Sequence, residues 1–586
     1  MTNAGGKWPT KVWVVDFEFV HPDGEQIAEV HTLVAQEVKS GRRIAVCGEA
    51  LQRLDVAPYD CGPDALVVAY AAEAEMQCHI ALGWPMPDNV LDLLYEYRWH
   101  MNGVSFGDKA GGESGSRYRL IDALFAFGLP AMAAEEKDEM RQLATRGGRY
   151  TADEEKALVE YCAEDVEATA RLLSRMESLI DLPRAILRGE FAKCGAHIQH
   201  RGIPMDVELI QRIDRHAVAI KAALIKQIDT FGFYECESFR EQRFLAYLQE
   251  NDLRWPQHPS GKLKLDTQTW ENECEVYTQL EPIRQLRKTL ARLRLADLPI
   301  GRDGRSRYYL GAFNSKTGRH YPRARDCIFA GAKWTRHLIK PAPGTALVYV
   351  DWSSAEIGIA AALSKDEQLA EAYFSGDPYI TFATQAGAAP AGATKRSHPA
   401  IRDKFKATML AVNYGMGARS LARRLDGIEA GARQLLNLHQ RTYQNFWAFS
   451  QRAQNAAFLH GEQRTLFGWK IRTSEQTSRQ SAGNWPVQAT GAEILRIACI
   501  EAHRSGLIIC ATVHDAILFE TRQEGLQDAI TQMEKVMAQA SAAVLNGFEL
   551  RADAKVVCAP DRYVDEDGQA MFDVVMDALH KAEAEG

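Results

Sequence analysis

The chain has 586 residues, 46% of them hydrophobic and 25% charged, which is ordinary for a globular protein with room for roughly three or four domain-sized units. No stretch approaches the ~18 apolar residues of a membrane span, and the N-terminus lacks the apolar core of a signal peptide, so we expect no membrane partner and a cytoplasmic location. The eleven cysteines include no CxxC pair, which suggests neither a zinc site nor a disulfide framework and fits a reducing compartment. The net charge of -8 argues mildly against nucleic acid as a partner, although a local basic groove can coexist with it.

The first predicted element is an apolar strand over residues 11–20 that carries two acidic side chains. Asp16 and Glu18 are two positions apart, so they lie on one face of the strand. Two carboxylates on one face repel each other unless a cation joins them. The alternative interpretation is a solvated strand edge.

An amphipathic helix is predicted over residues 152–173, with apolar residues recurring at helical spacing. Tyr161 and Asp165 are four positions apart on this helix and therefore lie side by side. Taken alone, they are equally consistent with an ordinary pair on a helix surface. The Asp-Leu-Pro sequence that ends at Pro183 indicates a domain boundary, and helical patterns resume from residue 184 and again over 207–228.

A basic segment covers residues 281–307. Arg284, Lys288 and Arg292 fall on one helical face, and such a face can follow the phosphate backbone of a duplex without reading its sequence. A solvated helix is the alternative.

An apolar run over residues 346–350 meets Asp351, after which the chain turns into a helix predicted over 355–363. A carboxylate at the tip of a buried strand is costly unless something pairs with it. A divalent cation is one such partner, because hard cations prefer oxygen ligands. An ordinary strand-to-helix turn capped by Asp is the alternative.

A helix is predicted over residues 402–414. Arg402, Lys406, Leu410 and Tyr414 are spaced four apart and share one drifting face. Two cations on one face suit a triphosphate, and the tyrosine ring offers a surface on which a base can stack. A solvated basic stripe is the alternative interpretation.

Residues 507–520 are predicted to form a strand, a tight turn and a second strand, with His514 and Asp515 at the corner. Asp351 and Asp515 at two strand ends could hold two metal ions between them. Such ions activate a 3′-hydroxyl and stabilise a leaving pyrophosphate. Taken alone, the second pair is equally consistent with a polar hairpin tip.

These three segments, in this order, resemble motifs A, B and C of family A DNA polymerases, the bacterial DNA polymerase I family. The residues that carry the resemblance are Asp351, Trp352, Ser353 and Glu356 for motif A, Arg402, Lys406, Tyr414 and Gly415 for motif B, and His514 and Asp515 for motif C. Ser315–Arg319 resembles the family's Thr-Gly-Arg segment, and Asn484–Gln488 resembles its Asn-x-Pro-x-Gln segment. Five ordered matches between residues 315 and 515 are far more specific than any one of them.

The resemblance implies a role for each matched residue. Asp351 and Asp515 would hold two Mg²⁺ ions per active site, with Mn²⁺ as a substitute. Arg402 and Lys406 would bind the dNTP triphosphate, and Lys406 would also donate a proton to the leaving group. Glu356 would crowd the sugar 2′ position, Leu410 would lie beside the incoming sugar, and Tyr414 would stack at the nascent base pair. The residues that would contact the primer–template DNA are Arg319, Asn484, Gln488 and His514.

Three positions depart from the family pattern. Leu410 stands where the family usually has an aromatic residue, Ala516 stands where it has Glu, and Gln480 stands where it often has Arg. The first two changes suggest a hypothesis of a lesion-tolerant or low-fidelity enzyme.

The N-terminal unit resembles a DEDDy-type 3′–5′ exonuclease, the proofreading domain that precedes the polymerase in this family. Asp16 and Glu18 match its first motif, and Tyr161 and Asp165 match its third. In that chemistry the acidic side chains hold two metal ions and the tyrosine helps to position the attacking water. Glu75 stands where the family has a metal-binding Asp. Asp92 is a less favoured ligand, and its alternative role is that of an acid at a helix N-terminus.

The expected fold is therefore an α/β exonuclease domain of the RNase H-like type, with a mixed sheet and helices, over residues 1–182, followed by an α+β right-hand polymerase over 183–586. The thumb is expected at about 206–310, the fingers at about 366–449, and the palm at about 311–365 and 450–586. The expected function is template-directed DNA synthesis with proofreading, in replication or repair. Because the exonuclease strand begins near residue 11, we expect no 5′-nuclease domain, an arrangement common in phages and mobile elements.

Two other classes of function remain as alternatives. One is a nuclease whose polymerase half has decayed into a DNA-binding platform, and the other is a non-catalytic replication or repair scaffold. Asp351, Asp515, Lys406 and Tyr414 argue against the first alternative, and the acidic residues at both predicted metal sites argue against the second. The sequence assigns no processivity factor, helicase or primase.

Overall fold

The computed structural model describes residues 8–104, 116–130, 134–413, 415–425 and 427–585. The N-terminal strands are β1 (Lys11–Val20), β2 (Glu29–Glu37), β3 (Arg43–Cys47), β4 (Ala65–Ala69) and β5 (Val90–Asp92). They form one mixed sheet in the order β3-β2-β1-β4-β5, in which β1 runs antiparallel to β2 and parallel to β4. Val14 and Val15 point to opposite faces of β1 and both are fully buried, so this strand is covered on both sides.

Seven helices accompany this sheet: α1 (Gly48–Gln52), α2 (Ala72–Ala81), α3 (Leu93–Met101), α4 (Leu120–Ala126), α5 (Ala134–Arg146), α6 (Ala152–Met176) and α7 (Leu182–Arg201). Helix α6 confirms the predicted amphipathic helix, and it begins at a capping box in which Thr151 and Glu154 satisfy each other's backbone N–H groups. It packs against β1 and β2.

Helix α7 joins the two halves of the molecule. It packs against α2 and β5 of the first sheet, and against helices and strands of the C-terminal half. A Cβ on Gly189 would lie 1.8 Å from the carbonyl oxygen of Val90, so only glycine permits this close approach of α7 to β5. Arg188 on the same helix forms a buried, two-pronged ion pair with Glu96 of α3, with N···O distances of 2.6 and 2.7 Å.

Helix α3 reaches from the first sheet into the C-terminal half. The Trp99 indole donates to the carbonyl of Gly468 at 2.7 Å. The Asn102 amide donates to the carbonyls of Lys316 and Lys470 at 2.8 and 2.6 Å. These bonds fix the end of α3 against the segment that leads to Arg319.

The middle of the chain is mostly helical. Its elements are β6 (Ile203–Pro204), β7 (Tyr234–Glu235), β8 (Ser238–Phe239), β9 (Arg305–Ser306), α8 (Val207–Arg215), α9 (Ala217–Ile228), α10 (Glu241–Glu250), α11 (Thr267–Cys274) and α12 (Glu281–Arg292). The prediction of one continuous helix over 207–228 was wrong in one respect, because the helix breaks at His216 and forms α8 and α9. Phe233, Phe244, Trp255 and Trp270 centre a small core of their own in this part.

The C-terminal half is built on a four-stranded antiparallel sheet. The strands of this half are β10 (Thr345–Trp352), β11 (Glu462–Arg464), β12 (Lys470–Arg472), β13 (Ile508–Val513), β14 (Ala516–Arg522) and β15 (Ala552–Cys558). The sheet order is β13-β14-β10-β15, and β11 pairs with β12 as a separate hairpin. Strand β10 is central, and Val348 and Val350 are fully buried.

The helices of this half are α13 (Ala355–Ser364), α14 (Glu367–Phe374), α15 (Pro378–Gln385), α16 (Pro399–Asn413), α17 (Ala418–Arg424), α18 (Glu429–Thr442), α19 (Gln444–His460), α20 (Arg479–Arg504), α21 (Leu526–Val544) and α22 (Glu566–Glu585). The predicted strand, turn and helix around Asp351, the strand pair around Asp515 and the helix that carries Arg402 are all confirmed. Within the described residues, no helix combines the length and the apolar character that crossing a membrane requires.

Candidate active sites

Asp351 and Asp515 meet at one end of the C-terminal sheet. Asp351 lies near the end of β10, directly opposite Ala516 on β14. Asp515 occupies the tight turn between β13 and β14, where His514 adopts a left-handed backbone with φ of 55°. The turn therefore brings the second carboxylate beside the strand end that carries the first.

The electrostatics of Asp351 reflect this proximity. Its side chain is exposed in the cleft, yet the surrounding protein partly desolvates the carboxyl group and raises its pKa to about 6. The negative charges of Asp515 and, more weakly, Asp553 add to the increase. A divalent cation would relieve the repulsion, so these residues fit a metal site.

Arg319 binds Asp515. Its Nη2 donates to both carboxylate oxygens at 2.9 and 3.0 Å and lies 3.6 Å from Oε1 of Glu356. Burial raises the pKa of Glu356, and Arg319 opposes this increase. The sequence interpretation placed Arg319 on DNA, whereas the structure holds it against a candidate metal ligand.

Asp553 is a third carboxylate at this sheet end, and the sequence interpretation missed it. It lies directly opposite Asp351 on β15, so the two side chains share a face of the sheet. The Ser353 hydroxyl donates to its Oδ2. No motif marks Asp553, and only the register between β10 and β15 reveals its position.

Helix α16 carries the predicted triphosphate-binding cations. Lys406 is exposed, and its ammonium lies 5.8 Å from the ring centre of Tyr379. Arg402 is already engaged, because its guanidinium donates to Asp377 and lies 5.2 Å from the same ring. Leu410 is half-buried on the helix. Tyr414 lies outside the described residues.

Helix α20 faces the same cleft with Asn484 and Gln488, which are half-buried and four positions apart. One turn further on, a Cβ on Gly491 would lie 3.8 Å from Nη2 of Arg319 and 3.9 Å from Oδ1 of Asp515. Gly491 therefore lies beside Asp515, and the exposed His514 directly precedes Asp515 in the turn.

The basic face of α12 is largely occupied within the protein. Arg284 pairs with Glu281, and Lys288 pairs with Glu271 at 2.7 Å. The guanidinium of Arg292 donates to backbone carbonyls of residues 324, 325 and 327. Arg292 therefore fastens a loop, and the binding of this face to a duplex stays a prediction.

A second acidic cluster lies on β1. One carboxylate oxygen each of Asp16 and Glu18 and the Sγ atom of Cys162 lie within 4.8 Å of one another. Tyr161 and Asp165 on α6 belong to the same neighbourhood, because burial and then the charges of Asp165, Glu18 and Asp16 raise the pKa of the Tyr161 phenol. The structure thus brings together the residues of the first and third predicted exonuclease motifs.

Glu75 on α2 completes this cluster. Its side chain is 4% exposed, and its Oε2 atom has no hydrogen-bond partner among the described residues. Burial raises its pKa well above the usual value, and the charges of Asp16 and Glu18 raise it further. A buried unpaired carboxylate oxygen beside two more carboxylates fits a divalent cation.

Asp92 has a different role. Its Oδ1 atom accepts hydrogen bonds from the backbone N–H groups of Leu94 and Tyr95, so it is the N-cap of α3. Burial raises its pKa to about 7. The helix-terminal interpretation of Asp92 is therefore confirmed for its Oδ1 atom. Its Oδ2 atom, like Oε2 of Glu75, is buried without a hydrogen-bond partner among the described residues. The choice of Glu75 as a metal ligand stays a prediction.

Residues 329–558 match the family model for DNA polymerase family A. DNA polymerase I of Aquifex aeolicus is 25% identical over 421 residues, which cover 67% of this chain and 70% of that protein. DNA polymerase I of Chloroflexus aurantiacus is 24% identical over 538 residues, which cover 84% of this chain and 54% of that protein.

Among solved structures, the POL domain of Pol1 from M. smegmatis, in complex with a DNA primer-template and dNTP, superposes with a TM-score of 0.71. The match covers 94% of this chain and 95% of that one at 18% sequence identity. The two chains therefore share a fold.

Proposed function

The chain belongs to DNA polymerase family A, and from this premise we propose that it extends a DNA primer on a template strand by adding dNTPs. Asp351 and Asp515 are the proposed metal ligands. The observation that carries this assignment is their meeting at one sheet end, where mutual repulsion and partial desolvation favour a bound cation.

Two divalent ions, Mg²⁺ or Mn²⁺ in its place, supply the charge that activates the primer 3′-hydroxyl and stabilises the departing pyrophosphate. Around them, Lys406 is exposed and available to bind the triphosphate and to donate a proton to the leaving group. Glu356 is placed to crowd the sugar 2′ position. Arg319 must exchange its bonds with Asp515 for DNA contacts when the site is loaded.

Asp553 is proposed as a supporting carboxylate of this site. Ala516 leaves one neighbour of Asp351 without charge, and Asp553 supplies a negative charge from the opposite neighbouring strand. Ser353 orients Asp553 through its hydroxyl. Asp553 is thus positioned to bind a metal ion through water.

A 3′–5′ exonuclease is proposed as the second activity, over residues 1–182, with the polymerase over 183–586. The cluster of Asp16, Glu18 and Glu75, with Tyr161 and Asp165 close by, supports this assignment. The mixed sheet with an antiparallel β1-β2-β3 meander supports an RNase H-like fold for this domain. The thumb, fingers and palm are assigned to the ranges given by the sequence interpretation.

A primer–template assay with Mg²⁺, run with and without dNTPs, tests both activities. We expect the wild type to extend the primer with dNTPs and to shorten it without them. Asp351→Ala should lower extension at least about a hundredfold, because a direct ligand contributes several kcal/mol to the transition state, and should leave degradation intact. Asp16→Ala should abolish degradation and leave extension intact.

The same assay separates the alternatives. A wild type that shortens the primer but never extends it would support a nuclease with a decayed polymerase half. A wild type with neither activity under Mg²⁺ or Mn²⁺ would support a non-catalytic scaffold. Asp561→Ala, an exposed residue in the turn after β15, is a control that should change neither activity.

A further inference from the structure

A thiol lies inside the acidic cluster of the N-terminal sheet. Cys162 follows Tyr161 on α6 and is fully buried. Its Sγ atom donates to the backbone carbonyl of Asp16 at 3.1 Å, which fixes the sulfur next to β1. The sulfur and one carboxylate oxygen each of Asp16 and Glu18 lie within 4.8 Å of one another.

Glu75 indicates independently that this cluster is built for a cation. Its Oε2 atom is buried and has no hydrogen-bond partner among the described residues. The charges of Asp16 and Glu18 act on Glu75, and a buried carboxylate oxygen without a hydrogen-bond partner beside two other carboxylates fits a bound cation. Glu75 also lies near the sulfur, because burial and the charges of Asp16, Glu18 and, more weakly, Glu75 raise the pKa of the Cys162 thiol.

We propose that this site accepts thiophilic divalent cations, such as Zn²⁺, Co²⁺ or Cd²⁺, with Cys162 Sγ as a direct ligand beside Asp16, Glu18 and Glu75. This assignment rests on the proposed exonuclease site and adds a class of metal to it. Mg²⁺ takes oxygen ligands, whereas Zn²⁺ and its relatives bind thiolates well.

The geometry is close to what ligation requires. Donor atoms around a tetrahedral Zn²⁺ lie about 3.5 Å apart, given Zn–O and Zn–S bonds of about 2.0 and 2.3 Å. The donor atoms of Asp16, Glu18 and Cys162 lie within 4.8 Å of one another. The side chains therefore need to move together by about 1 Å when the metal binds. Ligation replaces the S–H bond with a sulfur–metal bond, and the proton leaves to the solvent.

The two active sites should therefore prefer different metals. The ligands proposed for the polymerase site are the carboxylate oxygens of Asp351, Asp515 and Asp553, and no thiol is among them. The exonuclease site adds a sulfur to its carboxylates. Thiophilic ions should fill the exonuclease site first.

Titration of the full-length chain with Co²⁺, without DNA, tests the sulfur ligand directly. Cobalt bound to a thiolate shows a charge-transfer band in the near ultraviolet that cobalt bound to oxygen lacks. We expect the wild type to show this band, saturating at one equivalent. Cys162→Ala should abolish it. Cys236→Ala removes an exposed thiol in the middle of the chain and should keep it.

A wild type that binds Co²⁺ without the band, or a Cys162→Ala protein that keeps the full band, overturns the proposal. Circular dichroism checks the fold, and Cys162→Ser, which preserves size and polarity, carries the test if the alanine variant unfolds. Primer degradation with Mg²⁺ is measured in parallel. A band without degradation rejects the exonuclease assignment alone, and degradation without a band rejects the sulfur ligand alone.

Discussion

Asp351 lies between an uncharged neighbour, Ala516, and a charged one, Asp553, in the central strand of the C-terminal sheet. Its raised pKa of about 6 means that protons compete with metal ions near neutral pH. Extension at limiting Mg²⁺ should therefore fall as the pH drops through about 6, and saturating Mg²⁺ should move the midpoint lower. Initial extension rates measured against pH at two Mg²⁺ concentrations check this, and a midpoint near 4 at limiting Mg²⁺ would contradict it.

Asp553→Asn tests the supporting carboxylate. Removing this charge should raise the Mg²⁺ concentration for half-maximal extension about tenfold, because outer-shell ligands typically contribute that much to metal affinity. It should also lower the pKa of Asp351, since one like charge is lost. Mg²⁺ titration of extension measures the first effect.

Adding a carboxylate on the other neighbouring strand, with Ala516→Glu in the Asp553→Asn background, should restore Mg²⁺ affinity. Asp561→Asn removes an exposed charge outside the sheet and should leave the titration unchanged. Equal Mg²⁺ dependence in the wild type and Asp553→Asn would remove Asp553 from the site.

Sequence reasoning at this scale found Asp351 and Asp515 because each stands at the end of an apolar run. It missed Asp553 because the alternation around that residue marks a strand without saying which strand it pairs with. It also did not foresee the contact between Arg319 and Asp515, which only the tertiary structure shows. The contact of Arg319 with DNA stays a prediction. The sequence motifs identified the residues proposed to carry the chemistry, whereas the strand register of the structure showed which residues lie beside them.

At the scale of elements, Asp377 links two helices near the residues proposed to bind the triphosphate. It accepts from the N–H groups of Tyr379 and Ile380 as the N-cap of α15, and it also binds Arg402 of α16. Asp377→Ala should lower the free energy of unfolding by about 1–2 kcal/mol through the lost cap and leave Arg402 unanchored. The KM for dNTP should rise only several-fold, because Lys406 remains in place to bind the triphosphate.

Thermal unfolding and steady-state kinetics check this prediction. Asp377→Asn serves as the comparison, because asparagine can still cap the helix but carries no charge for Arg402. It should recover most of the stability without recovering the KM. Normal KM values in both variants would show that Arg402 needs no anchor.

Element boundaries followed local patterns closely where periodicity was clear. Strand β1 and helices α6 and α13 were predicted within a few residues. The break at His216 was not predicted, because the apolar spacing continues across it and nothing in the local sequence demands a stop. Packing of α8 and α9 against different partners decides that break.

At the scale of the whole molecule, the ion pair between Arg188 on α7 and Glu96 on α3 is almost completely buried, with 8% and 1% of the side chains exposed. Arg188→Met should cost about 3–5 kcal/mol of unfolding free energy, because it leaves a buried carboxylate uncompensated. The double variant Arg188→Met, Glu96→Leu should recover most of the loss. Urea denaturation followed by circular dichroism measures both.

Arg184→Met, one turn earlier on α7, is the matched control. Arg184 pairs with Asp181 near the surface with 45% of its side chain exposed, so this change should cost less than about 1 kcal/mol. Equal losses of unfolding free energy in Arg188→Met and Arg184→Met would show that the buried ion pair with Glu96 contributes no more to stability than the exposed one.

The anchored end of α3 bears on how such enzymes can be recombined. The helix runs from Leu93 to Met101 after its N-cap Asp92, and Asn102 follows it and donates to the carbonyls of Lys316 and of Lys470 in β12. Over nine residues its length is about 13 Å, with no flexible joint in between. An N-terminal unit taken from a related chain would therefore need its own α3, with donors that match Trp99 and Asn102, to be held in a fixed position against the C-terminal half.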